Sequence, residues 1–174
     1  MTAIMVLVAE LVERVDECDR VLGVVPRDEA AEKGWIIRIA TTVCRDQRGR
    51  YLVYRRPDDA TWFPGHHEVS FGGGIHVGES YSAAAARELA EELGVTVPVR
   101  FMFKYLCRGV IAQYWLGVHE ALINERISPA LQEIAWHDWM TEDELRRAVR
   151  RWRFVPDGQD ALRRYFAVLA TGAG

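Results

Sequence analysis

Residues 73–95 read GGIHVGESYSAAAARELAEELGV, and this stretch decides the fold. Its second half, Ser82 to Leu93, predicts one helix with two incompatible faces. At 3.6 residues per turn, Ala86, Leu89, Ala90 and Leu93 form an apolar stripe. Glu88, Glu91 and Glu92 recur at i, i+3 and i+4 on another face. Neighbouring like charges on a helix repel by roughly 0.2–0.5 kcal/mol per pair. No lysine dilutes them, so a positive partner is expected, and a hard, oxygen-seeking divalent cation such as magnesium or manganese fits. Arg87 stands four residues before Glu91 and can pair with it, leaving Glu88 and Glu92 free for the cation. Ser80 or Ser82 can cap the helix start, and Gly94 suits its left-handed end. Gly72, Gly73 and Gly74 predict a tight turn that a carbonyl or a phosphate can approach closely.

Gly73, Glu79 and the run Arg87-Glu88-Leu89-Ala90-Glu91-Glu92-Leu93-Gly94-Val95 fill the defining positions of the Nudix box, which this stretch resembles. The resemblance implies an α+β fold, the α/β/α Nudix sandwich, with a mixed sheet, the box helix on one face and helices from the C-terminal part of the chain. It implies magnesium- or manganese-dependent hydrolysis, by water attack on phosphorus, of a diphosphate linkage in a small nucleoside-diphosphate-type substrate. Glu88 and Glu92 would be the main metal ligands, Glu91 would contribute or be held by Arg87, and a carbonyl of Gly72 or Gly73 would join them. Glu88 is the first choice for the base, and Glu79 would orient Arg87. A further acidic ligand from outside the box is expected at Glu133, with Glu120 second.

Outward from the box, Glu10–Val15 and Val21–Val25 predict a hairpin, Arg27 to Lys33 a short helical turn stopped by Gly34, Trp35–Cys44 a strand, Asp46–Gly49 a turn and Tyr51–Arg55 the return strand. Val99–Arg108 and Val110–Glu120 predict a second hairpin. Glu133–Trp139 predicts a short strand, and helices follow from Thr141 and from Asp157, beyond Pro156. The order hairpin, Pro26-Arg27, strand, Arg55-Arg56, then Phe63-Pro64-Gly65 is similar to the isopentenyl-diphosphate-isomerase-like branch of that superfamily. Isomerases of that kind need a cysteine near the metal, and the lead-in to the box holds none, so hydrolysis is preferred. A non-catalytic nucleotide-binding domain is the other alternative, but no box glutamate is lost.

Arg55 and Arg56 could clamp phosphate bidentately or be surface arginines. His67 and its neighbour His66 point to opposite faces if the segment is a strand, so one ion cannot easily take both. The 174 residues suggest one domain over residues 9–172, with residues 1–8 an extension too short to span a bilayer. A net charge of −3 gives no general attraction to nucleic acid or to an anionic membrane. Three cysteines, odd in number and scattered, suggest a reducing cytoplasm. The expected partner is a small diphosphate molecule, and a homodimer is possible.

Overall fold

The computed structural model describes residues 10–172, so the expected extension over residues 1–8 lies outside it. In chain order the elements are β1 (Leu11–Val15), β2 (Val21–Pro26), α1 (Arg27–Lys33), β3 (Ile37–Arg45), β4 (Tyr51–Arg55), β5 (His67–Glu68), β6 (Ser70–Gly74), α2 (Tyr81–Leu93), β7 (Val99–Arg108), β8 (Gln113–Leu122), β9 (Trp136–Met140), α3 (Glu142–Arg151) and α4 (Pro156–Thr171). β1 and β2 pair alone, and the other seven strands form one mixed sheet in which β3 runs parallel to β8 and antiparallel to β6.

Alternation along the strands sorts the core into two layers. Val43, Tyr51 and Val53 face Leu145, Leu162 and Tyr165 of α3 and α4. Cys44, Leu52 and Phe71 face Leu89 and Leu93 of α2. Helices therefore cover both faces of the sheet, the α+β sandwich expected from the sequence. Pro156 opens α4 rather than breaking the chain before it, because a proline at the first helical position gives up only an amide that would be unpaired anyway. Thr141 and Glu144 cap α3 reciprocally.

Three local expectations are corrected. The glycines before the box do not form a turn: Gly72, Gly73 and Gly74 belong to strand β6. Glycine is weak in strands, but a Cβ on Gly72 would lie 2.0 Å from the Ala40 carbonyl oxygen, and one on Gly73 would lie 2.6 Å from Glu88 Oε1. Second, β4 does not return along β3; the two pair only at Arg45 and Tyr51, and β6 takes β3 from Ile39 to Val43. Third, α2 is rotated relative to the predicted stripe. Ala84, Ala85, Leu89, Glu92 and Leu93 are buried, whereas Ala90 is exposed. Leu89 is fully enclosed between α2 and the sheet. Leu89→Ala should cost about 2–5 kcal/mol, read as a lower urea midpoint with an unchanged slope.

Candidate active site

Two devices fix α2 against the sheet. Ser80 caps its start by accepting the Ala83 N–H at 3.2 Å, and Gly94 ends it at φ 67°. The loop before β9 then docks on its last turn, where Ser128 donates to the Leu93 carbonyl at 2.7 Å and Ala130 to the Glu92 carbonyl at 2.8 Å. That docking brings Glu133 toward the helix from 41 residues beyond Glu92. Glu88, Glu92, Glu133, Gly72, Gly73 and Arg56 line one cleft of about 710 Å³.

Arg87 organises the rim. Its Nε and Nη2 donate to the two oxygens of Glu79, both at 3.0 Å, and Nη2 also donates to the Gly74 carbonyl at 2.9 Å. Nη1 donates to Glu88 at 2.7 Å and to Glu91 at 3.3 Å. Glu88 is thus tied to Arg87 as well, unlike the sequence expectation that Arg87 would leave it free. Hydrogen bonds donated to Glu79 hold the Arg87 guanidinium well above its ordinary range, and they in turn lower Glu79. Glu91 stays on the outer side, with its side chain 58% exposed.

Glu92 is in the opposite situation. The residue is 6% exposed, and its Oε2 is buried without a hydrogen-bond partner. Burial first, then the charges of Glu133 and Glu88, push its carboxyl up to about 9. The Gly72 N–H pulls the other way. Burial also raises Glu88, despite the Arg87 bond.

Strand register explains which glycine faces these acids. Ile75 donates to the Arg38 carbonyl at 3.2 Å, which makes Thr41–Gly72 a non-hydrogen-bonded pair of the β3–β6 ladder. Gly72 therefore turns its peptide groups away from β3, as Gly74 does toward Arg87, while Gly73 is engaged with Ala40.

The donor set suits a hard divalent cation: carboxylates and a peptide carbonyl, with one buried carboxylate oxygen unpartnered. Among the described residues no three carboxylate, imidazole or thiol groups close on a single point, so carbonyl and water oxygens would have to complete the coordination.

Other sequence candidates lie elsewhere. Arg55 pairs with Asp58 and does not line the cleft. His67 packs among Trp136, Trp152 and Phe154, also away from it, and burial lowers its imidazole. Glu120 is held by Arg100, Arg45 and the Tyr165 hydroxyl, outside the cleft. Arg27, which the sequence reading passed over, does line the cleft: its guanidinium lies against Gly74 and is braced by both oxygens of Glu10 at 3.0 Å. Only the neighbouring Pro26-Arg27 pattern drew attention to it.

Comparison with known proteins agrees with the box. The NUDIX domain model matches residues 36–164. A protein of Streptomyces coelicolor named as an uncharacterised Nudix hydrolase is 38% identical over 167 residues, 94% of this chain and 92% of the relative. A prenyl-diphosphate phosphatase of Methanosarcina mazei is 31% identical over 148 residues, 80% of this chain and 84% of the relative. A crystal structure of a Deinococcus radiodurans protein superposes with a TM-score of 0.76 at 25% identity, covering 89% of this chain and 98% of that one. With Gly73, Glu88 and Glu92 of the box on one cleft and this similarity running over nearly the whole length, the chain belongs to the Nudix hydrolases.

Proposed function

We propose that this enzyme hydrolyses a phosphoanhydride bond of a small organic diphosphate, with magnesium or manganese held by Glu88, Glu92 and the Gly72 carbonyl. The observation that carries the reading is Glu92, a nearly enclosed carboxylate with an unpartnered oxygen beside two further acids in an open cleft. A divalent cation bound there would screen the phosphate oxygens and acidify the attacking water.

The chain's own groups do the rest. Arg56 lines the cleft, and its Nε is anchored on the Trp62 carbonyl at 2.9 Å, which leaves the remaining guanidinium N–H groups for phosphate oxygens. Arg27 supplies a second positive group on the same cleft. Glu88, raised by burial, accepts the proton of water as the new P–O bond forms and the anhydride P–O bond breaks, the displaced phosphate leaving with the bonding electrons. Arg87 and Glu79 position Glu88, and Glu133 would add negative charge beside a bound cation. Arg56→Ala and Arg27→Ala should each raise KM about 10- to 100-fold with a smaller effect on kcat, as loss of charged hydrogen bonds to phosphate predicts.

No cysteine lines the cleft among the described residues, which favours hydrolysis over an isomerase-type reaction. The relative named as a prenyl-diphosphate phosphatase raises isoprenyl diphosphates as a substrate class, and an apolar chamber beside the cleft supports considering it. Unpaired cysteines favour action in a reducing cytoplasm, and no helix among the described residues is long and apolar enough to cross a membrane. The deciding experiment is a panel of diphosphates with magnesium or manganese, read by phosphate release and product identification. Absence of metal-dependent release across the panel would favour a binding domain without turnover.

A further inference from the structure

The cleft opens into a second chamber of about 340 Å³, and Arg27, Tyr54, Arg56, Trp62 and Gly72 border both. Two segments far apart in the chain bring exposed apolar side chains to the chamber wall. Trp62, 56% exposed, comes from the loop between β4 and β5. Ile111, 47% exposed, comes from the tip joining β7 to β8, where its neighbour Val110 is 68% exposed. Apolar surface gathered around one cavity calls for something to cover it.

The two segments are held differently. The β7–β8 tip is fastened to the start of α4: Asp157 accepts the Tyr114 hydroxyl at 2.7 Å and the Val110 N–H at 3.3 Å. Gly109 lets the tip sit that close, since a Cβ there would lie 2.2 Å from Asp157 Oδ2. The loop is braced only by itself. Pro57 accepts the Ala60 N–H at 3.3 Å and the Gly65 N–H at 3.0 Å, His66 donates to the Phe63 carbonyl at 3.2 Å, and Arg56 donates to the His66 carbonyl at 2.9 Å across its base. Asp58 pairs with Arg55, and the pair sits over Gly65, where a Cβ would lie 2.9 Å from Asp58 Oδ1. Among the described residues, every hydrogen bond of residues 57–66 stays within residues 55–66. Phe63 holds a left-handed backbone at φ 50°, which costs energy for a bulky residue. A segment so built, with its own bonds and little buried surface, moves as a unit at low cost.

Arg56 joins this loop to the cleft. Its Nε donates to the Trp62 carbonyl at 2.9 Å, while its side chain lines the cleft. A guanidinium drawn toward an anion in the cleft therefore draws Trp62 with it.

We propose that residues 57–66 form a closing arm: when phosphate oxygens engage Arg56, on the reading that the cleft handles a diphosphate, the arm carries Trp62 onto Val110 and Ile111 and shuts the chamber from bulk water. Trp62 is thus a positioning residue, acting through Arg56. Closure also strengthens the contacts of Arg56, because charges attract more strongly once water is excluded.

Crosslinking tests the closure. In a Cys18→Ser background, which removes the exposed thiol, Trp62→Cys is combined with Ile111→Cys and oxidised with diamide, with and without magnesium imidodiphosphate, a diphosphate analogue bridged by nitrogen. Two cysteines join only when their Cα atoms come within about 7 Å. The crosslink should form in the free protein and about tenfold faster with the probe. Arg56→Ala should keep the slow reaction and lose the acceleration. In the native chain the probe should shift tryptophan emission to the blue, and Trp62→Phe should remove the shift. Trp62→Ala should lower kcat/KM about tenfold with Tm unchanged, which a merely structural residue would not do. Failure to crosslink under either condition would overturn the proposal. So would equal rates with and without the probe when calorimetry shows the probe bound. Crosslinking of the free protein, with calorimetry showing that imidodiphosphate does not bind, would support the arm and count against the diphosphate reading alone.

Discussion

Glu92→Gln is expected to lower kcat about a thousandfold while leaving the folded protein as stable as wild type, or more stable, in metal-free buffer at pH 8. The activity loss follows if the Glu92 carboxylate holds a cation whose charge stabilises the transition state by several kcal/mol, each 1.36 kcal/mol being a factor of ten. The stability result follows from burial. In the wild-type fold a 6%-exposed carboxylate with an unpartnered oxygen lies near Glu88 and Glu133. On folding at pH 8 that group must either take up a proton or carry its charge out of water beside two other acids; the amide keeps the shape and does neither, so that cost disappears. A generally damaged variant would lose both properties together, and that distinction is the value of the pair of measurements. Glu88→Gln should also lose turnover, and its pH profile should lose the limb that reports proton acceptance. Turnover by Glu92→Gln within about tenfold of wild type would remove the cation from this residue.

The parts of the site that were legible are the local ones. The pairing of Glu79 with Arg87 was expected from the resemblance of the box, and its two partners, eight residues apart across the start of α2, meet at 3.0 Å. The cap at Ser80 and the left-handed end at Gly94 are likewise encoded within a few residues. The inward face of α2 was misread because alanines occur almost all round its first two turns and so carry little directional signal. Packing on β6 and docking of the loop around Ala130 choose the face, and they turn Glu92 inward and Ala90 outward. β6 was missed because glycine's weak strand preference is local, whereas the clearances at Ala40 and Glu88 that require glycine are tertiary. Arg27 escaped notice for the same reason: it is 61 residues from Glu88, and only its bracing by Glu10 and the path of α1 bring it to Gly74. Arg55 and Arg56 were equivalent on paper. The loop carrying Trp62 separates them, giving Arg55 to Asp58 and Arg56 to the cleft.

Stability and metal affinity should both depend on pH between 7 and 9, in opposite senses. The Glu92 carboxyl is pushed from 4.5 to about 9 on folding, so between these values the folded chain holds a proton that the unfolded chain has released. Stability without a cation must then fall as pH rises, by at most about 1.4 kcal/mol per pH unit for one group. Glu68, raised to about 7, has the same sign, acting between 4.5 and about 7. Glu88, also raised by burial, has the same sign. The buried Cys44 and Cys107 thiols and the buried tyrosines are raised from values that are already high and act near 9 and above, and the remaining carboxylates and histidines act at lower pH. Glu79, Asp19 and Glu120 are lowered, so their stabilisation is present above the unfolded carboxylate range and lost on acidification. His67 and His119 are lowered by burial, so they favour the fold increasingly only up to about their ordinary 6.5. The window from 7 to 9 is left largely to Glu92. After treatment with a chelator, Tm should drop by several degrees across it, taking about 1–2 kcal/mol at 2–4 °C each. A cation must displace that proton, so its affinity should rise with pH, by up to about tenfold per unit below 9. Saturating magnesium should therefore lift Tm more at pH 8.5 than at pH 6.5, and Glu92→Gln should abolish both the drop and the lift. A Tm that is flat from pH 7 to 9 in chelator and indifferent to magnesium would mean that Glu92 is neither strained by burial nor relieved by a cation.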